Sequence, residues 1–175
     1  MDNEILLKLY SLYQKELYLY LYSLCGDWYL AEDLLHETFL KALLALPDGH
    51  TNMRAWLYMV ARNLFYNQRK KKSREILMNE QEYLPEKKTD EELLEKIIEE
   101  ENRRMLYQAI RRLEVKKREV IQMQYFGGMS QKEIAAVLHI TPENVRVLAY
   151  RAKKELKKDL EELKNGGGYK SKFEN

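Results

Sequence analysis

Two groups of side chains in this 175-residue chain have the types and spacing to hold nucleic acid. In the first, Arg62, Asn63, Tyr66, Arg69 and Lys70 recur at helical spacing, and the basic run continues through Lys71, Lys72 and Arg74. Arginine and lysine neutralise phosphates, while an asparagine and a tyrosine can hydrogen-bond or stack on an unpaired base. In the second, Asn144, Arg146, Val147, Tyr150, Arg151, Lys153 and Lys154 fall on one side of a helical repeat. A third group, Asp33, His36, Glu37, Leu40 and Leu44, mixes leucines with carboxylates on one helix side. Such a face is either a partner surface with an acidic rim or the seat of a further helix. Asp33-x-x-His36 has metal-ligand spacing, but a helical carboxylate-bridged site draws ligands from several facing helices. The other two histidines, His50 and His139, lie in a loop and a turn, so no metal is expected. Enzyme chemistry lacks its parts: there are no paired carboxylates with a histidine partner, no phosphate-cradling glycine loop and no Cys/His ligand set. No cofactor is expected either.

The elements that position these groups follow from periodicity and caps. Ser130 with Glu133 makes a capping box for a short helix whose apolar face is Ile134, Ala135, Val137 and Leu138. His139, Ile140 and Thr141 form a turn, Thr141 can cap, and Pro142 takes the first helical position. The next helix buries Val145, Ala149, Ala152 and Leu156 and turns its basic side outward. A short helix, a tight turn and a basic second helix match the helix-turn-helix that lays its second helix in the major groove.

Upstream, Leu6, Leu9, Tyr10, Tyr13, Leu17, Tyr20, Leu21 and Leu24 mark one face of a long first helix, broken at Gly26-Asp27. Asp27 caps a second helix with a core face of Ala31, Leu34, Leu35, Thr38, Phe39, Ala42 and Leu46. Pro47 to Asn52 is a loop by its turn chemistry. A third helix, from about Met53 to Ser73, has Trp56, Leu57, Val60, Ala61 and Leu64 as its core side. Asp90 caps a fourth helix that buries Met105, Leu106, Ala109, Ile110 and Leu113. Lys116 to Tyr125 makes a short helix closed by Gly127-Gly128.

Composition agrees with an all-α fold, with seven glycines and three prolines. The single cysteine, Cys25, excludes an intramolecular disulfide and fits a reducing compartment. The longest apolar run is too short to span a membrane and no signal-type leader opens the sequence, so a cytoplasmic location is expected. The net charge of +2 is strongly segregated. Residues 51–75 carry seven basic and one acidic side chain, and residues 102–175 carry seventeen and nine. Residues 1–50 carry three and eight, and residues 76–101 three and ten. Two basic blocks separated by an acidic one imply two nucleic-acid contacts rather than one.

Three stretches in this order resemble the sigma-70 family of bacterial RNA polymerase sigma factors, in its extracytoplasmic-function (ECF) group. They are AEDLLHETFLKAL (31–43), RAWLYMVARNLFYNQRKKK (54–72) and the segment from Leu106 to Leu156 that holds the helix-turn-helix. The resemblance implies two small helical domains. A sigma-2-like domain would span 1–75, an acidic linker with the start of the next helix 76–101, a sigma-4-like domain 102–164 and a flexible tail 165–175. It implies core RNA polymerase and the promoter −10 and −35 elements as partners, an anti-sigma factor as a further one, and no small-molecule substrate. Carried over by position, Asp33, Glu37, Phe39 and Leu40 fall in the polymerase-binding segment. Arg62, Asn63, Tyr66, Arg69 and Lys70 fall on the −10 face, and the 47–52 loop resembles one that pockets a flipped −10 base. Asn144, Arg146, Val147 and Arg151 match major-groove positions at −35. His36 stands where Gln is common, Asn67 where Asp is common, and Leu148 where a DNA-facing Arg is common. Leu148 turned inward with Val145 would remove one DNA contact. The alternative is a stand-alone helix-turn-helix regulator, which has no use for the Asp33–Leu40 face.

Overall fold

The computed structural model describes residues 3–47, 49–76 and 93–166, for 75–76 and 93–100 the backbone alone. Among the described residues seven α-helices run in order: α1 (Asn3–Cys25), α2 (Trp28–Ala45), α3 (Met53–Ile76), α4 (Leu93–Arg112), α5 (Val115–Ile121), α6 (Gln131–Leu138) and α7 (Pro142–Gly166). A π-helical turn, Gln122–Phe126, continues α5. There is no strand among the described residues.

Local chemistry sets the helix ends. Gly26 adopts φ +67° after α1, a conformation that a Cβ disfavours. Asp27 then caps α2, its side chain accepting from the amides of Tyr29 and Leu30. Asn52 caps α3 by accepting from the Ala55 amide at 3.0 Å. The Ser130–Glu133 capping box forms with both of its bonds, and His139 closes α6 in the left-handed region at φ 55°. The Asn144 amide donates to Thr141 Oγ1 at 3.2 Å. The expected linker falls largely on residues 77–92 and the Asp90 cap on the same stretch, outside the described residues. Asn165 and Gly166, expected in the tail, still belong to α7.

Packing follows the expected stripes in α2 and α7. All seven expected core residues of α2, Leu46 included, are buried, as are Val145, Ala149, Ala152 and Leu156 of α7. Each fully buried leucine or phenylalanine stabilises the fold by about 1.5–3 kcal/mol relative to exposure. In α4, Ala109, Ile110 and Leu113 are buried, but Leu106 stays exposed.

α3 departs from its expected phase. Leu57 and Ala61 are buried, but Trp56, Val60 and Leu64 are only half-buried, and Ala55, Tyr58 and Phe65 are buried instead. The reason is a second covered flank. One side of α3 packs on α1 and α2, and another receives α6. The core is accordingly continuous between the two halves of the chain. Val120, Met123, Met129, Ile134, Val145 and Ala149 share one buried cluster with Leu17, Leu34, Leu57 and Tyr58. A smaller cluster, with Ala109, Ile110, Leu113, Ile121, Ala152 and Leu156, closes the far side of the second half. Gly127 is a point of close approach between the halves. A Cβ there would stand 2.7 Å from both the Met123 carbonyl oxygen and Tyr58 Cε1, so only glycine fits. Tyr58 Oη donates to the Gly127 carbonyl at 2.7 Å across the same contact.

Candidate nucleic-acid interface

The α3 face is built on a helix whose inner flank is pinned by Leu57, Ala61 and Phe65. Asn63, Arg69 and Lys70 point to solvent. Arg62 and Tyr66 do not stand free. Arg62 Nε and Nη2 lie 2.8 and 2.7 Å from Glu119 Oε1. Tyr66 Oη donates to the same oxygen at 3.0 Å. The Arg62 guanidinium also lies over the Tyr66 ring, 5.1 Å from its centroid. Glu119, on α5, is only 3% exposed. A carboxylate so buried needs these partners, because desolvation would otherwise cost several kcal/mol, of the order of 3–5 for a broken buried pair. Burial, then the Glu119 charge, then the hydrogen bond to it push the Tyr66 phenol up to about 12.

A second clasp centres on Arg54 in the first turn of α3. Its guanidinium meets Glu16 of α1 at 2.9 and 3.0 Å and Glu133 of α6 at 3.2 Å. It also donates to the carbonyls of Gly127 at 3.0 Å and Gly128 at 2.8 Å. Glu133 therefore serves both the capping box of α6 and the contact between halves. The sequence offered no sign of either clasp. No local pattern singles out Arg54 or Glu119, since their partners are 38 to 79 residues away.

The α7 face is open. Asn144, Arg146 and Arg151 are exposed and Val147 is half-buried. Arg146 is engaged by its neighbour Glu143, with N–O distances of 2.5 and 3.2 Å, and that bond holds the Glu143 carboxyl below its usual value. Leu148 packs half-buried against the core beside Val145. Lys117 of α5 pairs with Glu155 on α7.

On α2, Asp33 and Glu37 are exposed, and Leu40 and Leu44 are 55% and 76% exposed. No further helix among the described residues covers these leucines. Phe39 corrects the expectation: it is 5% exposed, and its ring meets Tyr10 edge-on at 4.8 Å, so it belongs to the core and offers no contact surface. In the 47–52 loop, His50 Nδ1 accepts from the Asn52 amide at 3.2 Å. Cys25 is half-buried, and burial pushes its thiol up. No helix among the described residues is long and apolar enough to cross a membrane.

This arrangement has known counterparts. Residues 9–75 match the family described as sigma-70 region 2, and residues 103–156 the one described as sigma-70, region 4. The RNA polymerase sigma factor YlaC of Bacillus subtilis is 31% identical over 87% of this chain and 90% of its own. The ECF RNA polymerase sigma factor SigL of Mycobacterium tuberculosis is 31% identical over 89% and 88%. In fold, the chain is similar to the sigma factor RpoE of Bartonella quintana, solved in complex with the anti-sigma factor NepR. That match has a TM-score of 0.66 and 24% identity over 88% of this chain and 95% of that one. CnrH, solved with the cytosolic domain of CnrY, has a TM-score of 0.65 at 22% identity over 92% and 90%. With both sigma regions in order and relatives matched almost end to end, the chain belongs to the sigma-70 family of RNA polymerase sigma factors, in its ECF group.

Proposed function

We propose that the two basic faces are the two promoter-reading surfaces of this sigma factor. In this reading, residues 1–75 act as the sigma-2 unit and 102–164 as the sigma-4 unit, joined through 76–101, with 165–175 as a tail. α2 docks on core polymerase through Asp33, Glu37 and Leu40, and Leu44 extends that apolar centre. Arg62, Asn63, Tyr66, Arg69 and Lys70 engage the −10 element. Asn144, Arg146, Val147 and Arg151 read the −35 element. The polymerase carries out the chemistry in the cytoplasm and this chain supplies no catalytic group. An anti-sigma factor is a further partner, as in the solved complexes of RpoE and CnrH.

The observation that carries the reading is the division of α7. Val145, Ala149, Ala152 and Leu156 are buried, while Asn144, Arg146 and Arg151 on the other side are exposed. A helix anchored so firmly presents its outer side chains at fixed positions, and each good base contact contributes about 1–3 kcal/mol of discrimination. The stand-alone regulator leaves the exposed leucines of α2 without a role.

The two clasps add a condition. Arg62 and Tyr66 cannot contact DNA while Glu119 holds them, so −10 engagement requires α5 to leave α3. In-vitro transcription with core polymerase on a promoter library tests the whole. Enrichment of templates sharing paired −35 and −10 motifs is expected. Failure to bind core, or initiation without sequence preference, overturns it.

A further inference from the structure

A cavity of about 520 Å³ opens between the two halves, beside the Glu119 clasp. It lies within the range of about 300–1,000 Å³ typical of small-ligand sites. Four cations line it: Arg69 and Lys72 from α3, Arg111 from α4 and Arg118 from α5. No Asp or Glu lines it among the described residues. The other inter-half cations are treated differently, for Arg54 and Arg62 each meet a carboxylate. Here Arg69, Lys72 and Arg111 meet none among the described residues, and Arg118 finds only the Arg111 carbonyl at 3.3 Å. Cations brought together without a counter-charge raise the free energy of the closed arrangement. An anion seated among them would relieve that repulsion.

Two further features narrow the anion. Tyr107 gives the cavity an aromatic wall, backed by Phe126 at a ring distance of 6.0 Å and an interplanar angle of 23°. Gln122, 4% exposed, also lines the cavity. Its Nε2 donates to the Ser23 carbonyl at 3.0 Å, but its Oε1 is buried with no hydrogen-bond partner. Oε1 has no accessible surface as it stands, and an unpaired buried acceptor costs about 1–3 kcal/mol, so turning it onto a ligand N–H in the cavity is favourable. Several negative charges, a flat ring and an N–H donor are together the chemistry of a nucleotide. We infer that the cleft between the halves is a binding site for a nucleoside polyphosphate. Its phosphates lie among Arg69, Lys72, Arg111 and Arg118, its base lies against Tyr107, and the base N–H groups meet Gln122 once its amide turns toward the cavity.

Bound there, the ligand bridges α3 to α4 and α5 and stabilises the closed arrangement. Arg69 is then shared between ligand and promoter, a consequence that rests on the DNA assignment of α3 made above. Occupancy and −10 engagement exclude one another.

Titration calorimetry of the full chain with GTP, ATP and inorganic tripolyphosphate, without divalent metal, tests the site. One nucleotide per chain is expected, with tripolyphosphate at least tenfold weaker. Arg111→Gln lies on the exposed side of α4, outside the proposed DNA faces. It should weaken all three probes at least tenfold with an unchanged denaturation midpoint. Tyr107→Leu should weaken the nucleotides and leave tripolyphosphate unchanged. Should Tyr107→Leu fail to fold, the ratio of nucleotide to tripolyphosphate affinity in the wild-type chain carries the same information. Equal affinity for all three would overturn the base contact, and hence the ligand class. No binding at millimolar probe, or binding indifferent to Arg111→Gln, overturns the site. These outcomes need neither polymerase nor promoter, so they stand apart from any failure of the transcription assay.

Discussion

The outer faces of α3 and α7 carry the same kinds of side chain, yet the fold treats them oppositely. α7 is anchored along one stripe and leaves Asn144, Arg146 and Arg151 exposed. α3 is covered along two flanks, and two of its five expected DNA-facing residues are held by Glu119. The difference teaches that one of the two proposed nucleic-acid faces is displayed and the other is latched. The latch joins two charge clusters around a glycine contact to an apolar cluster that both halves share, so opening it also uncovers Tyr58, Met123 and Ile134.

The largest break in that comparison comes from Arg54. Arg54→Met keeps the aliphatic stem but strands Glu16, Glu133 and the carbonyl of buried Gly127, together with that of exposed Gly128. We expect a loss of about 3 kcal/mol in urea denaturation, toward the lower end for breaking a buried pair. Duplex binding through α7 should be unaffected. A loss below about 0.5 kcal/mol, the range of an ordinary surface change, would mean that Arg54 holds nothing together.

Glu119→Gln is the next test. The amide keeps the size and one acceptor but loses the charge that holds Arg62. A hydrogen bond to a charged group contributes about 1.5–3 kcal/mol, so a cost near 2 is expected. Binding of the free chain to single-stranded −10 DNA should rise, since Arg62 and Tyr66 are released. Unchanged DNA binding would show that the clasp does not gate α3.

How much of this was legible beforehand depended on sequence distance. The α7 stripe, the α6 capping box and all seven core positions of α2 follow from patterns within one or two turns, and each is found. The α3 flank was not legible, because what buries Tyr58 and Phe65 comes from other elements, and Tyr58 meets Tyr20 of α1 and Gly127, which lies 69 residues away. Phe39 shows the same split: its phase placed it correctly in the core, and resemblance by position moved it to the surface. Leu40 and Leu44 were ambiguous for the same physical reason. Nothing local tells whether another helix will cover an apolar side chain.

The open face offers a smaller, cleaner measurement. Arg151→Ala on the exposed side of α7 should leave stability within about 0.5 kcal/mol. It should reduce −35 discrimination by about 1 kcal/mol or more. For the latched face, Arg69→Ala with Lys70→Ala should lower the slope of log affinity against log salt by about 2, one for each lost phosphate contact. If the α7 change altered stability and left promoter choice intact, the contrast between displayed and latched faces would be reversed.

The smallest effect is a titration. The Tyr66 phenol sits at about 12, above its ordinary value of 10.0, through burial first and then Glu119. The folded chain therefore holds this proton more tightly than the unfolded chain. Below about pH 10 both states are protonated and the contribution is fully present. Between pH 10 and 12 the unfolded chain releases its proton first, so stability falls, and above 12 the contribution is gone. The ring is half-buried, and solvent screening shrinks the effect below the full linkage value. The informative quantity is the difference between wild type and Tyr66→Phe. That difference should shrink between pH 10 and 12 and be constant below it. Parallel stability curves for the two proteins would mean that the Tyr66–Glu119 bond is not part of the latch, and that Arg62 alone ties α3 to α5.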